Sequence, residues 1–155
     1  MVFVLASPAF PPGGEIPAQY TCAGQDIAPP LRWSGAPAGT RSFVLAVVDS
    51  DAPGGAFGHW GTYDLPVRET ALPAGRGGAA APSVVNDFGR PGYGGPCPPP
   101  GDSPHHYHFE LLALDVPQLA VPARAHVGEL LNAAASHVLA RAELVGRFGR
   151  GSKGE

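Results

Sequence analysis

Two short stretches of this chain concentrate the side chains that could do chemistry, and the first is DSDAPGGAFGHW. In it Asp49 and Asp51 lie close together, a proline and two glycines follow, and then comes His59. Carboxylates this close repel each other unless a cation or a hydrogen-bond donor lies between them. At least one is expected to cap backbone N–H groups of the turn, whereas one could face a ligand cation or orient His59.

The second stretch is GDSPHHYHFE, which holds three histidines within four residues. In an extended strand alternate side chains point to opposite faces, so His105, Tyr107 and Phe109 share one face. An imidazole, a phenol and an apolar ring in this order would suit a pocket wall. The polar side chains of the opposite face are those of His106, His108 and Glu110. They lack a defined third ligand for zinc, so an exposed polar face is favoured and no metal site is predicted.

A buried strand must position the two carboxylates. SFVLAVVD, Ser42–Asp49, is a continuous apolar run rich in β-branched residues, which indicates a strand covered on both faces. Gly58–Leu65 is its predicted hairpin partner, ended by Pro66, and the first chemistry-bearing stretch forms the loop between them. His59 then lies at the same end of the sheet as the aspartates. The clearest later strand is predicted at His106–Asp115.

The rest of the chain supplies elements around this sheet. Apolar spacing predicts a strand at Phe3–Ala6, a helix over Ala123–Leu139 that begins after Pro122, and a last strand at Arg141–Phe148. The longest irregular region, residues 73–104, is expected to be an ordered loop. Because strands dominate, we predict a mostly β protein, an antiparallel β-sandwich with one or two peripheral helices.

Length and composition narrow the class of protein. The chain has 155 residues, a net charge of −3 and no run of Lys or Arg, so we predict a single domain over residues 1–155 that does not bind nucleic acid. Its apolar runs are too short for a membrane span, and MVFVLASPAF lacks the features of a signal peptide, so a cytoplasmic location is expected. Cys22 and Cys97 either pair where their loops meet or stay free thiols in a reducing cytosol.

No nucleophile motif accompanies these acids and bases. Phosphate-loop, dinucleotide-binding and GxSxG motifs are absent from the sequence. A hydrolytic Ser–His pair could involve Ser50, between the two aspartates, or Ser103, two residues before His105. Neither serine has the strand–turn–helix context that such a nucleophile needs. The sequence therefore favours a protein that is not an enzyme, with no catalytic residues and no cofactor.

Several motifs that cover nearly the whole chain carry a family resemblance. They are YTCAGQDIAPPLRWSGAPAGTRSFVL, DSDAP, FGHWGTYDLP, NDFGRPGYGGPCPPPGDSPHHYHFELLALD and HVLARAELVGRFGR. By the order and spacing of these motifs, the chain resembles the phosphatidylethanolamine-binding protein family, also called Raf kinase inhibitor protein-like, in its bacterial and archaeal branch.

The resemblance implies a β-sandwich with a small pocket near one end, for phosphate, phosphoethanolamine or a similar anionic head group. Matched motif by motif, the implied ligand-binding residues are Asp49, Asp51, His59, His105, Tyr107 and Pro99, with Cys97 and Pro98 on the same rim. Asp49 is expected to be the orienting carboxylate and His59 a hydrogen-bond donor to the anion. A carboxylate could also receive the ammonium group of a zwitterionic ligand.

Two positions depart from the family pattern, and alternative functions stay open. Ser50 stands where the pattern has a rigid proline, and His106 stands where it has arginine, so an ion pair there would need a protonated imidazole. One alternative is a regulatory interaction protein that inhibits a kinase or a protease. The other is a hydrolase that acts through Asp49, His59 and His105. The sequence also leaves a homodimer open.

Overall fold

The computed structural model describes residues 2–75 and 81–150. Its strands in chain order are β1 (Val4–Ala6), β2 (Leu31–Ser34), β3 (Ser42–Asp49), β4 (Phe57–Pro66), β5 (Ala71–Leu72), β6 (His105–Leu114) and β7 (Val138–Phe148). The helix α1 (Val127–Ala134) and two short 3₁₀ turns, Ala18–Tyr20 and Ala135–His137, accompany them. Within the described ranges, no helix has the length and apolar character needed to cross a bilayer.

The strands form two antiparallel sheets, one ordered β4-β3-β6-β7 and the other β1-β2-β5. The main core lies between them and joins Leu31 and Trp33 of the small sheet to Phe43 and Phe109 of the large one. Trp33 and Phe43 meet edge to face with their ring centroids 5.6 Å apart. This confirms the predicted mostly β, antiparallel sandwich.

β3 is covered on both faces, as its continuous apolar sequence predicted. Phe43 and Leu45 point into the core between the sheets, whereas Val44 and Ala46 belong to a second apolar cluster that includes residues of α1. The helix thus buries the face of the sheet that would otherwise need polar residues. This double cover explains why the strand shows no apolar–polar alternation.

The helix begins later than predicted, because the residues after Pro122 form a turn. Arg124 has a φ of 62°, in the left-handed region, and the Ala125 N–H donates to the Pro122 carbonyl oxygen. His126 is the N-cap, and its N–H donates to the Glu129 carboxylate in a capping box. The prediction that the helix starts just after Pro122 is therefore wrong.

The last residues of the predicted helix belong to β7 in the structure. The prediction placed Leu139 in the helix and began the last strand at Arg141, but β7 begins at Val138. The strand is longer because it pairs with β6 as far as the Leu114–Val138 pair. The other strands that were predicted agree with the structure to within one residue at each end.

The long irregular region is tied to a neighbouring loop in its described part. Cys97 forms a disulfide with Cys22, which decides between the two alternatives left open for the cysteines. The Tyr93 hydroxyl donates to the Tyr20 carbonyl oxygen over 2.7 Å. These links give the predicted ordered loop its anchors. Residues 76–80 of the predicted region lie outside the described residues.

Candidate functional site

A cleft at one end of the four-stranded sheet brings most of the predicted site residues together. The antiparallel register places Asp49 opposite Phe57 of β4 and opposite Tyr107 of β6, so the end of β3 meets the starts of both neighbours. The cleft has a volume of about 250 Å³. Its lining residues are Asp49, Ala52, Pro53, Phe57, His59, Phe88, Cys97, Pro98, Pro99 and His105.

Asp49 is buried and each of its carboxylate oxygens has a partner. Oδ1 accepts a hydrogen bond from the Asp51 N–H over 2.8 Å, which caps the turn as expected. Oδ2 accepts from Nδ1 of His105 over 2.7 Å. Asp49 therefore orients His105. It does not orient His59, which was the alternative expected from the sequence. The strand register explains this, because β6 rather than β4 carries its histidine to the end of β3.

His105 lies between two carboxylates. Its Nδ1 pairs with Asp49, and its Nε2 pairs with Oδ2 of Asp102 over 3.1 Å. Burial by itself lowers the pKa of His105, but the hydrogen bonds and negative charges of Asp49 and Asp102 outweigh burial and raise the pKa above its usual value. The imidazolium form is therefore favoured. Sequence reasoning missed Asp102, although its position three residues before His105 was a usable signal.

His59 is buried at the base of the cleft and donates inward. Its Nδ1–H bonds to the Gly94 carbonyl oxygen over 2.7 Å. Burial lowers the pKa of His59, against weaker raising contributions from Gly94 and Asp49. The neutral ring then carries its proton on Nδ1, so Nε2 is a hydrogen-bond acceptor. The sequence predicted that His59 donates a hydrogen bond to an anion. In the structure its Nε2 can only accept a hydrogen bond unless the ring takes up a second proton.

Tyr107 lies beneath the cleft rather than in its wall. The residue is fully buried, and its ring centroid is 5.3 Å from that of His59 and 6.3 Å from that of His105. Burial, followed by the charges of Asp49 and Asp51, raises the pKa of the phenol well above its usual value, so the hydroxyl keeps its proton. Within residues 2–75 and 81–150 the hydroxyl has no hydrogen-bond partner.

Asp51 is not part of the cleft lining. Its Oδ2 accepts from the backbone N–H and pairs with Nδ1 of His106, each over 2.8 Å. These contacts lower the pKa of Asp51, the side-chain hydrogen bond from His106 being the largest cause. About half of the His106 side chain is exposed, so the pair lies on the outer surface. His106 thus pairs with the second aspartate of the turn.

Apolar groups form the upper walls of the cleft. The Phe57 and Phe88 rings meet edge to face at 4.8 Å, and both pack against the His59 ring, at 4.9 Å and 5.3 Å. Pro98 and Pro99 also line the cleft, next to Cys97, whose disulfide holds the loop. Phe57 and Phe88 were not predicted as site residues, because an isolated phenylalanine in a glycine-rich sequence gives no signal of its own.

Neither a metal site nor the larger cavity offers a better candidate site than this cleft in the described part of the chain. In the described part of the chain, no group of three or more His, Cys, Asp or Glu side chains is placed to hold a metal ion. A larger cavity of about 620 Å³ lies beside the turn before α1 and contains none of the predicted site residues. Its one imidazole, His126, pairs with Asp87.

Comparisons with known proteins agree with this fold and its motifs. Residues 6–149 match the family model described as phosphatidylethanolamine-binding protein. A UPF0098 protein of Aquifex aeolicus is 42% identical over 148 residues, which cover 93% of this chain and 86% of that protein. The putative lipoprotein LppC of Mycobacterium tuberculosis is 42% identical over 144 residues, covering 93% of this chain and 71% of that protein. In view of that name and of the disulfide, the cytoplasmic location stays a prediction.

Two solved structures share the fold. Escherichia coli YbcL, described as a new member of the mammalian PEBP family, superposes with a TM-score of 0.87 at 32% identity, over 95% of this chain and 98% of that chain. The PEBP homologue CT736 of Chlamydia trachomatis gives a TM-score of 0.88 at 37% identity, over 96% and 98% of the two chains. The sequence motifs, the sandwich and these matches together show that the chain belongs to the phosphatidylethanolamine-binding protein family.

Proposed function

We propose that this protein binds a small phosphoryl head group that carries its own proton donor, such as monoanionic phosphate or phosphoethanolamine. The observation that carries the proposal is the pairing pattern in the cleft. His105 is held between Asp49 and Asp102, while His59 offers an unprotonated Nε2. Such a site offers a cationic imidazole and anionic carboxylates. It also offers a hydrogen-bond acceptor, Nε2 of His59, to which a fully deprotonated anion has no proton to donate.

The charges of the site limit the ligand. With His105 protonated and Asp49 and Asp102 ionised, these three groups sum to one negative charge, so a bare dianion would be repelled. A hydroxyl of a protonated phosphate or an ammonium group can donate to Nε2 of His59 or to a carboxylate. A phosphate oxygen can accept from the His105 imidazolium if Asp102 moves aside. The side chain of Asp102 is 42% exposed, which leaves room for that movement.

The size and walls of the cleft point the same way. About 250 Å³ lies below the usual range of a pocket for a drug-sized ligand, and suits a head group rather than a whole lipid. The apolar rim of Phe57, Phe88 and Pro99 would contact the carbon atoms of an organic substituent.

A binding function is favoured over a hydrolase in the cleft. Among the residues that line it, none has a free hydroxyl or thiol, because the Cys97 sulfur is in the disulfide. The hydrolase alternative through Asp49, His59 and His105 would therefore need to activate water directly. Inhibition of a kinase or protease stays a prediction.

The experiment compares phosphate with sulfate by calorimetry at neutral pH. Sulfate has the same shape but no proton, so it would leave Nε2 of His59 unpaired. We expect phosphate and phosphoethanolamine to bind and sulfate to bind at least about tenfold more weakly, the cost of about one unmade hydrogen bond. His59→Ala and His105→Ala should each abolish most of the phosphate affinity.

His137→Ala is the matched control, because His137 also pairs with a carboxylate, Asp115, but is not among the residues that line the cleft. Its phosphate affinity should equal that of the wild type. Equal affinity for phosphate and sulfate would contradict the required donor. Unchanged phosphate binding in both cleft variants would remove the site assignment itself.

A further inference from the structure

The outer face of the sheet carries a second constellation, separate from the cleft. Ser50 Oγ lies 3.0 Å from Nε2 of His108, and Nδ1 of His108 lies 3.0 Å from Oε2 of Glu143. A serine on one imidazole nitrogen and a carboxylate on the other is the order found in Ser–His–acid hydrolytic sites. None of these three residues lines the cleft.

Adjacent strands hold two of the three side chains, and the third follows directly after a strand. His108 lies in β6, where it pairs with Val48 of β3 on one side and with Val145 of β7 on the other. Glu143 lies in β7, and Ser50 directly follows β3. His108 and Glu143 therefore come from neighbouring strands of one sheet, which fixes their relative orientation, and Ser50 comes from the turn directly after the third strand.

The hydrogen bonds select the tautomer of His108 that a general base needs. The Glu143 carboxylate can only accept, so Nδ1 carries the proton and Nε2 keeps its lone pair. Nε2 then accepts from the Ser50 hydroxyl. Ser50 is exposed and the His108 side chain is 28% exposed, so a reagent in solution can reach both.

We propose that Ser50 is a nucleophile that His108 activates and Glu143 positions, and that it is acylated by small activated esters. Ser50 Oγ attacks the ester carbonyl carbon, the new Oγ–carbon bond forms, and the bond from that carbon to the aryl oxygen breaks. The Ser50 proton passes to Nε2 of His108 and then to the departing phenolate or to water. Attack of water, activated by the same imidazole, releases the acid and restores Ser50. This activity goes beyond the proposed binding function and does not depend on it.

The backbone N–H groups near Ser50 limit the rate enhancement that is expected. The Ser50 N–H donates to the His106 carbonyl oxygen over 3.3 Å and the Asp51 N–H donates to Asp49, so these two backbone donors are already engaged. Without them to stabilise an oxyanion, the expected gain is that of general-base catalysis alone, about 10²–10⁴-fold. Because the His108 side chain is only 28% exposed, the site favours a small acyl group such as acetyl.

The experiment treats the full chain with p-nitrophenyl acetate and locates the acetyl group by peptide mass spectrometry. Mapping is essential, because other exposed imidazoles and amines react slowly with the same reagent. We expect acetyl on Ser50, formed at least about 100-fold more slowly in His108→Ala. Ser103→Ala is the matched control and should leave the Ser50 rate unchanged. Acetyl found elsewhere but not on Ser50, or an equal Ser50 rate in His108→Ala, would overturn the proposal.

The role of Glu143 needs a readout beyond rate. The charged or titratable groups around His108 are Glu143 and Arg147 from β7 and His106 and Glu110 at alternate positions of its own strand, and the turn after β3 adds the Ser50 hydroxyl. Glu143→Gln should slow Ser50 acetylation and lose the Nδ1–H tautomer of His108 in imidazole ¹⁵N NMR spectra, because an amide can also donate to Nδ1. Glu143→Asp should restore the tautomer and the rate in part, and Glu110→Gln should change them less. A His108 tautomer that is the same in Glu143→Gln and wild type would remove the positioning role.

Discussion

The two faces of β6 carry histidines with similar partners in different surroundings. On the inner side His105 meets Asp49 at 2.7 Å, and on the outer side His106 meets Asp51 at 2.8 Å. The inner pair has side chains that are 5% and 4% exposed, whereas the outer pair is 50% and 44% exposed. Water and salt screen the outer pair but not the inner one. Burial rather than distance therefore decides which imidazole–carboxylate pair can serve a binding site.

The largest expected effect is loss of the inner carboxylate. Asp49→Ala leaves His105 buried without its main partner and removes the cap of the Asp51 N–H, so we expect a loss of about 3–5 kcal/mol in the free energy of unfolding. Asp51→Ala removes the exposed pair and the hydrogen bond from the His106 N–H, both at the surface, and should cost no more than about 2 kcal/mol. Urea unfolding at neutral pH measures both. Equal losses would show that burial does not separate the two faces.

Removing the disulfide should affect the inner face alone. The bond joins residues 75 positions apart, and restriction of the unfolded chain by such a link is worth roughly 4 kcal/mol. Because Cys97 and Gly94 lie in the same loop, reduction should also disturb the hydrogen bond that fixes His59. We expect reduced protein to be less stable, with the imidazole NMR signals of His59 shifted and those of His108 unchanged. A shift of both sets would mean that the loop and the outer face are coupled.

A pH titration should separate the two cleft histidines. Burial lowers the pKa of His59, so its contribution to stability is lost as pH falls below about 6.5, the value of the unfolded chain. The carboxylates raise the pKa of His105 despite burial, so its contribution is fully present below about 6.5 and is lost as pH rises through the folded-state pKa. NMR of the two imidazoles measures both midpoints. The reverse order would contradict the pairing seen in the cleft.

The smallest effect is expected for the outer pair. His106→Ala removes a solvent-exposed interaction with Asp51, and the change in unfolding free energy should stay below about 1 kcal/mol and shrink further at high salt. Phosphate affinity should not change, because neither residue lines the cleft. A marked fall in phosphate affinity would show that loss of the outer pair alters the position of Asp49 through the turn.

Local patterns predicted much of this arrangement. The continuous apolar run identified β3 within its observed bounds, and alternation along β6 assigned His105, Tyr107 and Phe109 to the buried face. These features follow from the period of a strand, which the sequence expresses directly. The helix start failed for the opposite reason. The predicted start relied on Pro122, but the left-handed backbone at Arg124 and the capping box at His126 decided where α1 begins.

The sequence by itself determined the family, the sandwich and the end of the sheet where the acids and imidazoles gather, because these depend on motifs and on strand periodicity. Only the tertiary structure decided the partners. The register of β3 against β6 places Asp49 within hydrogen-bond distance of His105. The folded loop places the Gly94 carbonyl oxygen beside Nδ1 of His59. Partner choice depends on how distant segments close upon each other within a few tenths of an ångström. No local pattern of residues encodes that distance.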